Sequence, residues 1–305
     1  MAGDTSHIIQ SLVANTVIAA SKGVAAVMTG SGALLAETLH SAADCGNQLL
    51  LLLGVKRSRR PPSATHPLGY GRDVYFWSFM VALLLFTGGG MFSIYEGVHK
   101  LQHREPVDKV WLGLVILGVS IVIEGWALLG NLREMNRRRA GKPFFRYLRD
   151  TKDSDLVVVF GENLAAVLGL ALALVALVVA SQTGDSRWDA VGSMSIGVVL
   201  VLVAIFLAVE VQSLLVGEAA DPEVEESVRA AVAEDDRLAE VLSCITIQQG
   251  PGEVMVAIKI RFVPDLTVDQ VSHAIDDFEA RVRGRLPSVK WCFVEPHLPP
   301  PSTSA

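Results

Sequence analysis

Two short stretches carry residue types that could hold a metal ion. The first is Glu37-Thr38-Leu39-His40-Ser41-Ala42-Ala43-Asp44, inside a hydrophobic run from about Ser31 to Val55. Residues four apart stack on one face of a helix, so His40 and Asp44 would present an imidazole nitrogen and a carboxylate oxygen side by side. The second is Val158-Val159-Phe160-Gly161-Glu162-Asn163-Leu164, where Glu162 is the one acid in the middle of another apolar run. A carboxylate in hydrocarbon is costly enough that it finds a partner, a proton or a cation. If the two helices pack together, His40, Asp44 and Glu162 offer one nitrogen and at least two oxygens. Asn163 or water could then complete a four-coordinate shell of the kind zinc takes. The plainer alternative is that His40 and Asp44 only hydrogen-bond to each other or to a neighbouring helix, which a single four-residue spacing does not exclude.

The donor set constrains the ion and its exchange partner. Imidazole favours zinc over calcium or magnesium, but these ligand types do not separate Zn²⁺ from Mn²⁺, Fe²⁺, Co²⁺ or Cd²⁺. Histidine, which titrates at about pH 6.5 when unperturbed, binds a metal only through an unprotonated nitrogen, so protons and cation compete for one place. A site that opens to each side in turn and swaps metal for protons is an antiporter. No HExxH motif and no second histidine near His40 are present to build a catalytic zinc centre, and no filter motif suggests a channel. A transporter is expected, not an enzyme.

The elements that must position these groups are read from hydropathy. The chain has 305 residues, 51% of them apolar, and a net charge of −6, with a mean hydropathy of +0.42. Soluble domains are nearly as apolar, so distribution decides the class. Residues 1–215 carry long apolar runs broken by basic loops, whereas 217–305 are acidic. Six spans are predicted near Ile8–Thr29, Ser31–Val55, Val74–Leu101, Val110–Met135, Asp155–Ala180 and Trp188–Val216, each longer than the ~20 residues that cross a bilayer. Lys22 and Glu37 interrupt the first two spans and could pair across the tight turn Thr29-Gly30-Ser31-Gly32. Glu96 and Glu124 receive no role.

Basic residues set the orientation. The second loop holds Lys56, Arg57, Arg59, Arg60 and Arg72, and the fourth holds Arg133, Arg137, Arg138, Arg139, Lys142, Arg146, Arg149 and Lys152. Both loops, and both termini with them, are therefore expected in the cytoplasm. These clusters are read as topology determinants that touch anionic lipid rather than as a nucleic-acid surface. MAGDTSHIIQ lacks the charged start of a signal peptide, so the first span is expected to be retained. Cys45, Cys244 and Cys292 lie far apart and suggest no disulfide framework.

Beyond the spans, residues 217–298 are read as a small α+β domain of order αββαβ: helix 222–233, strands 241–248 and 253–262, helix 268–285 and strand 289–295. Gly250-Pro251-Gly252 marks a hairpin, and Thr267 with Gln270 reads as a capping box. The tail 299–305 is rich in proline and serine and is expected to be disordered.

With those features in view, the sequence resembles the cation diffusion facilitator family of divalent-metal transporters over nearly its whole length. The resemblance rests on six spans, HSAAD at 40–44, HPLGYGRDVYFW at 66–77, LLVGEA at 214–219 and CFVEP at 292–296. It implies a six-helix transmembrane cation efflux domain (1–216) and a cytoplasmic dimerisation domain of ferredoxin-like fold (217–298). It also implies export of zinc or a related cation in exchange for protons, by a homodimer in a membrane expected to be the bacterial plasma (inner) membrane. His40 and Asp44 match the pair on the second span, and Glu162 with Asn163 corresponds to an acidic pair on the fifth. The usual second ligand of the fifth span is replaced by Val158 and Ala166, which leaves a non-transporting membrane scaffold or regulator as the alternative. Tyr70 stands where a second loop histidine is frequent, so His66 is expected to brace its turn. His273, Glu295 and His297 are expected to be solvated surface residues rather than a regulatory metal cluster.

Overall fold

The computed structural model describes residues 2–103, 109–139, 141–152 and 154–297; the expected disordered tail lies outside them. The chain divides into two compact units, Met1–Lys56 with Tyr75–Gln212, and Arg57–Val74 with Ser213–Ala305.

The first unit is helical. Its elements are α1 (Ala2–Thr29), α2 (Gly32–Ser58), α3 (Asp73–Leu84), a π-helical segment (Leu85–Met91), α4 (Phe92–His103), α5 (Val110–Arg138), α6 (Phe144–Asp150), α7 (Ser154–Thr183) and α8 (Arg187–Val216). The segment from α3 through α4 is one helix, Asp73–His103, and it, Val110–Arg138, Leu156–Thr183 and Arg187–Val216 are long and apolar enough to cross a membrane. α1 and α2 run as long, at 28 and 27 residues, and α2 falls short in hydropathy because Glu37, His40, Asp44, Asn47 and Gln48 dilute it. The outer faces suit lipid. α5 exposes Trp111, Val115, Val119, Val122 and Trp126, and α8 exposes Val198, Leu202, Ile205 and Val209. Stripes of that size in water are association surfaces, whereas in hydrocarbon they are solvated.

Two features escape the hydropathy reading. The third span passes through a π segment at Gly88-Gly89-Gly90, where weak helix formers let the hydrogen-bond ladder slip by one residue. The fourth loop contains α6, whose Phe144 meets Phe160 of α7 edge-on with ring centroids 5.6 Å apart. A helix of two turns is too short for periodicity to announce.

Glycines set how closely helices approach in this unit. On α4 and α8, Gly97 lies against the Ala190 carbonyl and Gly197 against that of Gly90, and the Ser193 hydroxyl donates to the Ser93 carbonyl at 2.9 Å. Small residues allow such backbone contact where lipid offers no hydrophobic drive between helices.

The second unit holds α9 (Pro222–Ala233), β1 (Leu238–Gly250), β2 (Glu253–Phe262), α10 (Val268–Arg285) and β3 (Val289–His297). The sheet order is β1-β2-β3, with β1 antiparallel and β3 parallel to β2; the parallel step needs the crossover that α10 supplies. Along β2, Val254, Val256, Ile258, Ile260 and Phe262 are buried with period two, against Val228 and Val232 of α9 and Phe278 and Val282 of α10. Thr267 and Gln270 form the expected capping box. Burial pushes the Cys292 thiol up to about 12, so it is core packing rather than a nucleophile.

The loop 57–74 belongs to this unit. Gly71 lies so close to the Gln249 carbonyl and Glu253 carboxylate that a Cβ there would come within 2.6 Å of both. His66 braces the turn as expected: its backbone exchanges hydrogen bonds with Ser63 at 3.1 Å, and its ring stacks on Tyr70 at 4.3 Å.

Asp235 ties the ends of three elements, accepting from Arg237 at 2.8 Å and from Arg281 of α10 at 3.0 Å. The Arg237 guanidinium, with Arg281 and against the opposing effect of burial, holds its carboxyl well below the usual carboxylate range. With an unfolded value near about 3.9, the stability Asp235 contributes is full above about pH 4 and is lost as pH falls through the lower native value. Chemical denaturation of wild type and Asp235→Asn is expected to show a constant gap in unfolding free energy of this unit from pH 7 to about pH 4. The gap narrows below that.

Candidate metal site

α2 is fixed at its start, ahead of His40 and Asp44. Gly30 takes the left-handed conformation (φ 67°) that ends α1. Ser31 then caps α2, its hydroxyl oxygen accepting from the Leu34 amide at 3.2 Å while donating to Asp189 Oδ1 of α8 at 2.5 Å. Asp189 also accepts from the Gly32 amide at 2.6 Å and from Lys100 of α4 at 3.2 Å, and Lys100 donates to the Gly30 carbonyl. The carboxylate thus satisfies orphan amides at a positive helix end, and its lysine partner keeps the buried charge compensated.

From that anchor α2 turns one polar face inward: Glu37, His40, Asp44 and Asn47, three or four residues apart, with Ser41 beside His40. Over ten residues this file is about 15 Å long. His40 is fully buried, and its Nδ1 stands 3.6 Å from Asp44 Oδ1, too long for a hydrogen bond. The plainer alternative of a simple His–Asp hydrogen bond is therefore not what the structure contains. Both His40 nitrogens, Asp44 Oδ1, Asn47 Oδ1 and Glu37 Oε1 have no hydrogen-bond partner among the described residues. Buried polar atoms are normally paired, so this set of unpaired polar atoms on one helix face is unusual.

Glu162 of α7 comes to the same file. It is buried and its Oε1 accepts from Asn47 Nδ2 at 2.6 Å, and its charge is felt by Asp44. Gly161 and Gly169 flank it; the first lies against Leu207 of α8 and the second against the Glu37 carboxylate. Asn163 is half-buried on the next position of α7, and among the described residues no hydrogen bond joins it to His40, Asp44 or Glu162. Adjacent helix positions diverge by about 100°. Val158 and Ala166, a turn to either side of Glu162, are buried. Among the described residues no three of His, Cys, Asp and Glu stand in a group close enough to hold a metal ion; Glu162 rests on Asn47, one turn beyond Asp44.

Two polar residues here went unassigned or unnoticed in the sequence, and a third was anticipated. Asn47 is the side chain that receives Glu162. The half-buried Glu124 of α5 lies near enough for Glu37 and Asp44 to feel its charge. Lys22 of α1 donates to Glu37 Oε2 at 3.2 Å and to Ser41 Oγ at 2.8 Å, the pairing across the turn that the sequence allowed. The signal for Asn47 was present, since it lies three residues beyond Asp44 on the same face.

In the second unit, His273 pairs with Asp269 at 3.7 Å on an exposed face, Glu295 pairs with Lys259 at 2.7 Å, and His297 lies at the end of β3.

The family model described as the cation efflux transmembrane domain matches residues 8–216. Metal tolerance protein C4 of Arabidopsis thaliana is 34% identical over 242 residues, which is 79% of this chain and 53% of that protein. The proton-coupled zinc antiporter SLC30A9, mitochondrial, of Homo sapiens is 30% identical over 243 residues, 79% of this chain and 43% of the other. Magnetosome protein MamM of Paramagnetospirillum magneticum is 32% identical over 117 residues, 37% of this chain and 36% of its own. The chain spans about half the length of the first two.

The packing at Gly169 is testable by itself. Gly169→Ala drives a methyl into the Glu37 carboxylate and is expected to destabilise by about 1–3 kcal/mol, while Gly118→Ala, which meets nothing within 4 Å, is expected to be neutral or stabilising by up to about 1 kcal/mol. Thermal unfolding of the two variants in detergent compares them.

Proposed function

The chain belongs to the cation efflux family, and on that premise we propose that it is a secondary transporter that exports a divalent metal cation, zinc first, from the cytoplasm in exchange for protons. His40, Asp44 and Glu162 are the ligands, with Asn163 or water in the fourth place. The observation that carries this reading is the meeting of α2 and α7 inside an apolar bundle, with His40, Asp44 and Glu162 buried or nearly so and Glu162 bonded one turn from Asp44. A charge kept at such depth has a use for a partner of opposite sign.

The exchange follows from the donor set. A cation drawing Glu162 toward His40 and Asp44 competes with the Asn47 amide, so loading is coupled to a shift of α7 against α2 rather than to entry into a finished cage. On the other stroke, protons displace the ion from imidazole and carboxylates. The name of the human relative, a proton-coupled zinc antiporter, supports the same pairing of ions. The basic loops support a cytoplasmic side for loading.

The second unit serves assembly in this reading. Ile245, Ala257 and Phe293 lie in register across the three strands, on the face opposite the helices, and Ile245 and Phe293 are more than half exposed. An apolar row on an open sheet face is what a second copy would cover. A non-transporting scaffold or regulator is the competing reading, favoured by Val158 and Ala166, which leave Glu162 the one acid in the middle of α7.

Reconstituted vesicles with an imposed pH gradient separate the two. Wild type is expected to move zinc, Asp44→Asn to lose transport, and Glu162→Gln to lose at least tenfold; a wild type that moves no zinc, manganese, iron, cobalt or cadmium leaves the scaffold reading. For assembly, Ile245→Asp with Phe293→Asp is expected to halve the protein mass measured by light scattering in detergent.

A further inference from the structure

Lys22 is the feature that the transport reading does not use. It is fully buried, as is Glu37, and it reaches from α1 to Glu37 Oε2 at 3.2 Å and to the Ser41 hydroxyl at 2.8 Å. Ser41 is the neighbour of His40 in sequence, and Glu37 lies one turn before it. The ammonium therefore sits on the same polar file as the ligands. Glu124 of α5 also feels its charge.

Stability alone does not account for the pair. Two buried charges lose more hydration than their attraction commonly returns, and apolar replacements of equal volume often do as well or better. Here the bundle makes further concessions to it: Glu37 Oε1 has no hydrogen-bond partner among the described residues, and α7 has a glycine, Gly169, where any side chain would strike that carboxylate. The arrangement keeps a compact positive charge and an incompletely used carboxylate one helical turn from a site for a doubly charged ion. In a medium of low dielectric, like charges at that range repel strongly.

We propose that Lys22 is a tethered counter-cation of the metal site, a positioning residue rather than a ligand. While the site is empty its ammonium balances the acids of the file; when a divalent ion is bound, its repulsion loosens the hold and hastens release. The inference rests on the reading of His40, Asp44 and Glu162 as the metal site and says what keeps that site from becoming a trap.

Zinc affinity and zinc release of the purified full-length chain in detergent, at fixed pH and ionic strength, test it. Lys22→Met is expected to bind zinc at least tenfold more tightly than wild type and to release it correspondingly more slowly, and Lys22→Arg is expected to stay within threefold. Lys22→Gln retains a donor for Glu37 and Ser41 without the charge, so it is expected to tighten binding as Lys22→Met does; a lysine that served only as a brace would leave this variant at the wild-type value. It also carries the test if Lys22→Met fails to fold. Wild-type or weaker affinity in Lys22→Gln overturns the proposal. Asp44→Asn separates the two levels: undiminished binding there removes the site and this inference with it, whereas lost binding there with unchanged Lys22→Met and Lys22→Gln removes the counter-cation alone.

Discussion

The structure of the first unit depends on one constraint: a file of polar side chains on α2 has to be buried among helices that are otherwise apolar. Each group in that file loses its water, and a bundle with little else to hydrogen-bond must answer for it with side chains from other helices. Lys22 from α1 and Glu162 from α7 are those answers. Hydrophobic association does not bring transmembrane helices together, so these polar contacts, together with glycine-lined approaches, decide which helices neighbour α2.

The same constraint explains the clamp at the start of α2. A helix whose inward face must meet partners on two other helices tolerates little rotation about its axis. Asp189 holds the first amides of α2, Ser31 caps it, and Lys100 closes the charge. A slip of one residue would swing His40 and Asp44 by about 100°, away from Glu162. At the far end of the file Glu162 is held by the Asn47 amide and not by His40 or Asp44, which leaves the candidate donor set open and its atoms unsatisfied. That suits an ion in transit better than a permanent structural metal, whose site is closed on all sides.

The second unit follows soluble-protein rules, and its charges behave accordingly. Asp235 is paired with two arginines at the junction of α9, β1 and α10, and the core alternates along β2. The loop carrying His66 and Gly71 packs on the β1–β2 hairpin of this unit, with backbone lying on backbone at Gly71 and Gly250. Only glycines permit that approach, which accounts for Gly71 and Gly250.

Much of this was legible in the chain because it depends on local pattern. Apolar runs of span length, period-two burial in Glu253–Phe262, the box at Thr267 and Gln270, and the four-residue step from His40 to Asp44 are properties of neighbouring residues, and neighbours are what a sequence displays. The triple glycine's π segment and the short α6 were not legible because each is only seven residues long, too short for a period to show. Asn47 as the partner of Glu162, Lys22 on Ser41, Asp189 on the first amides of α2, and Gly169 facing Glu37 join positions that are far apart along the chain. The residue types at those positions were visible, but each pairing follows from which helix faces which, and burial of the polar file settles that only when all the helices are packed together.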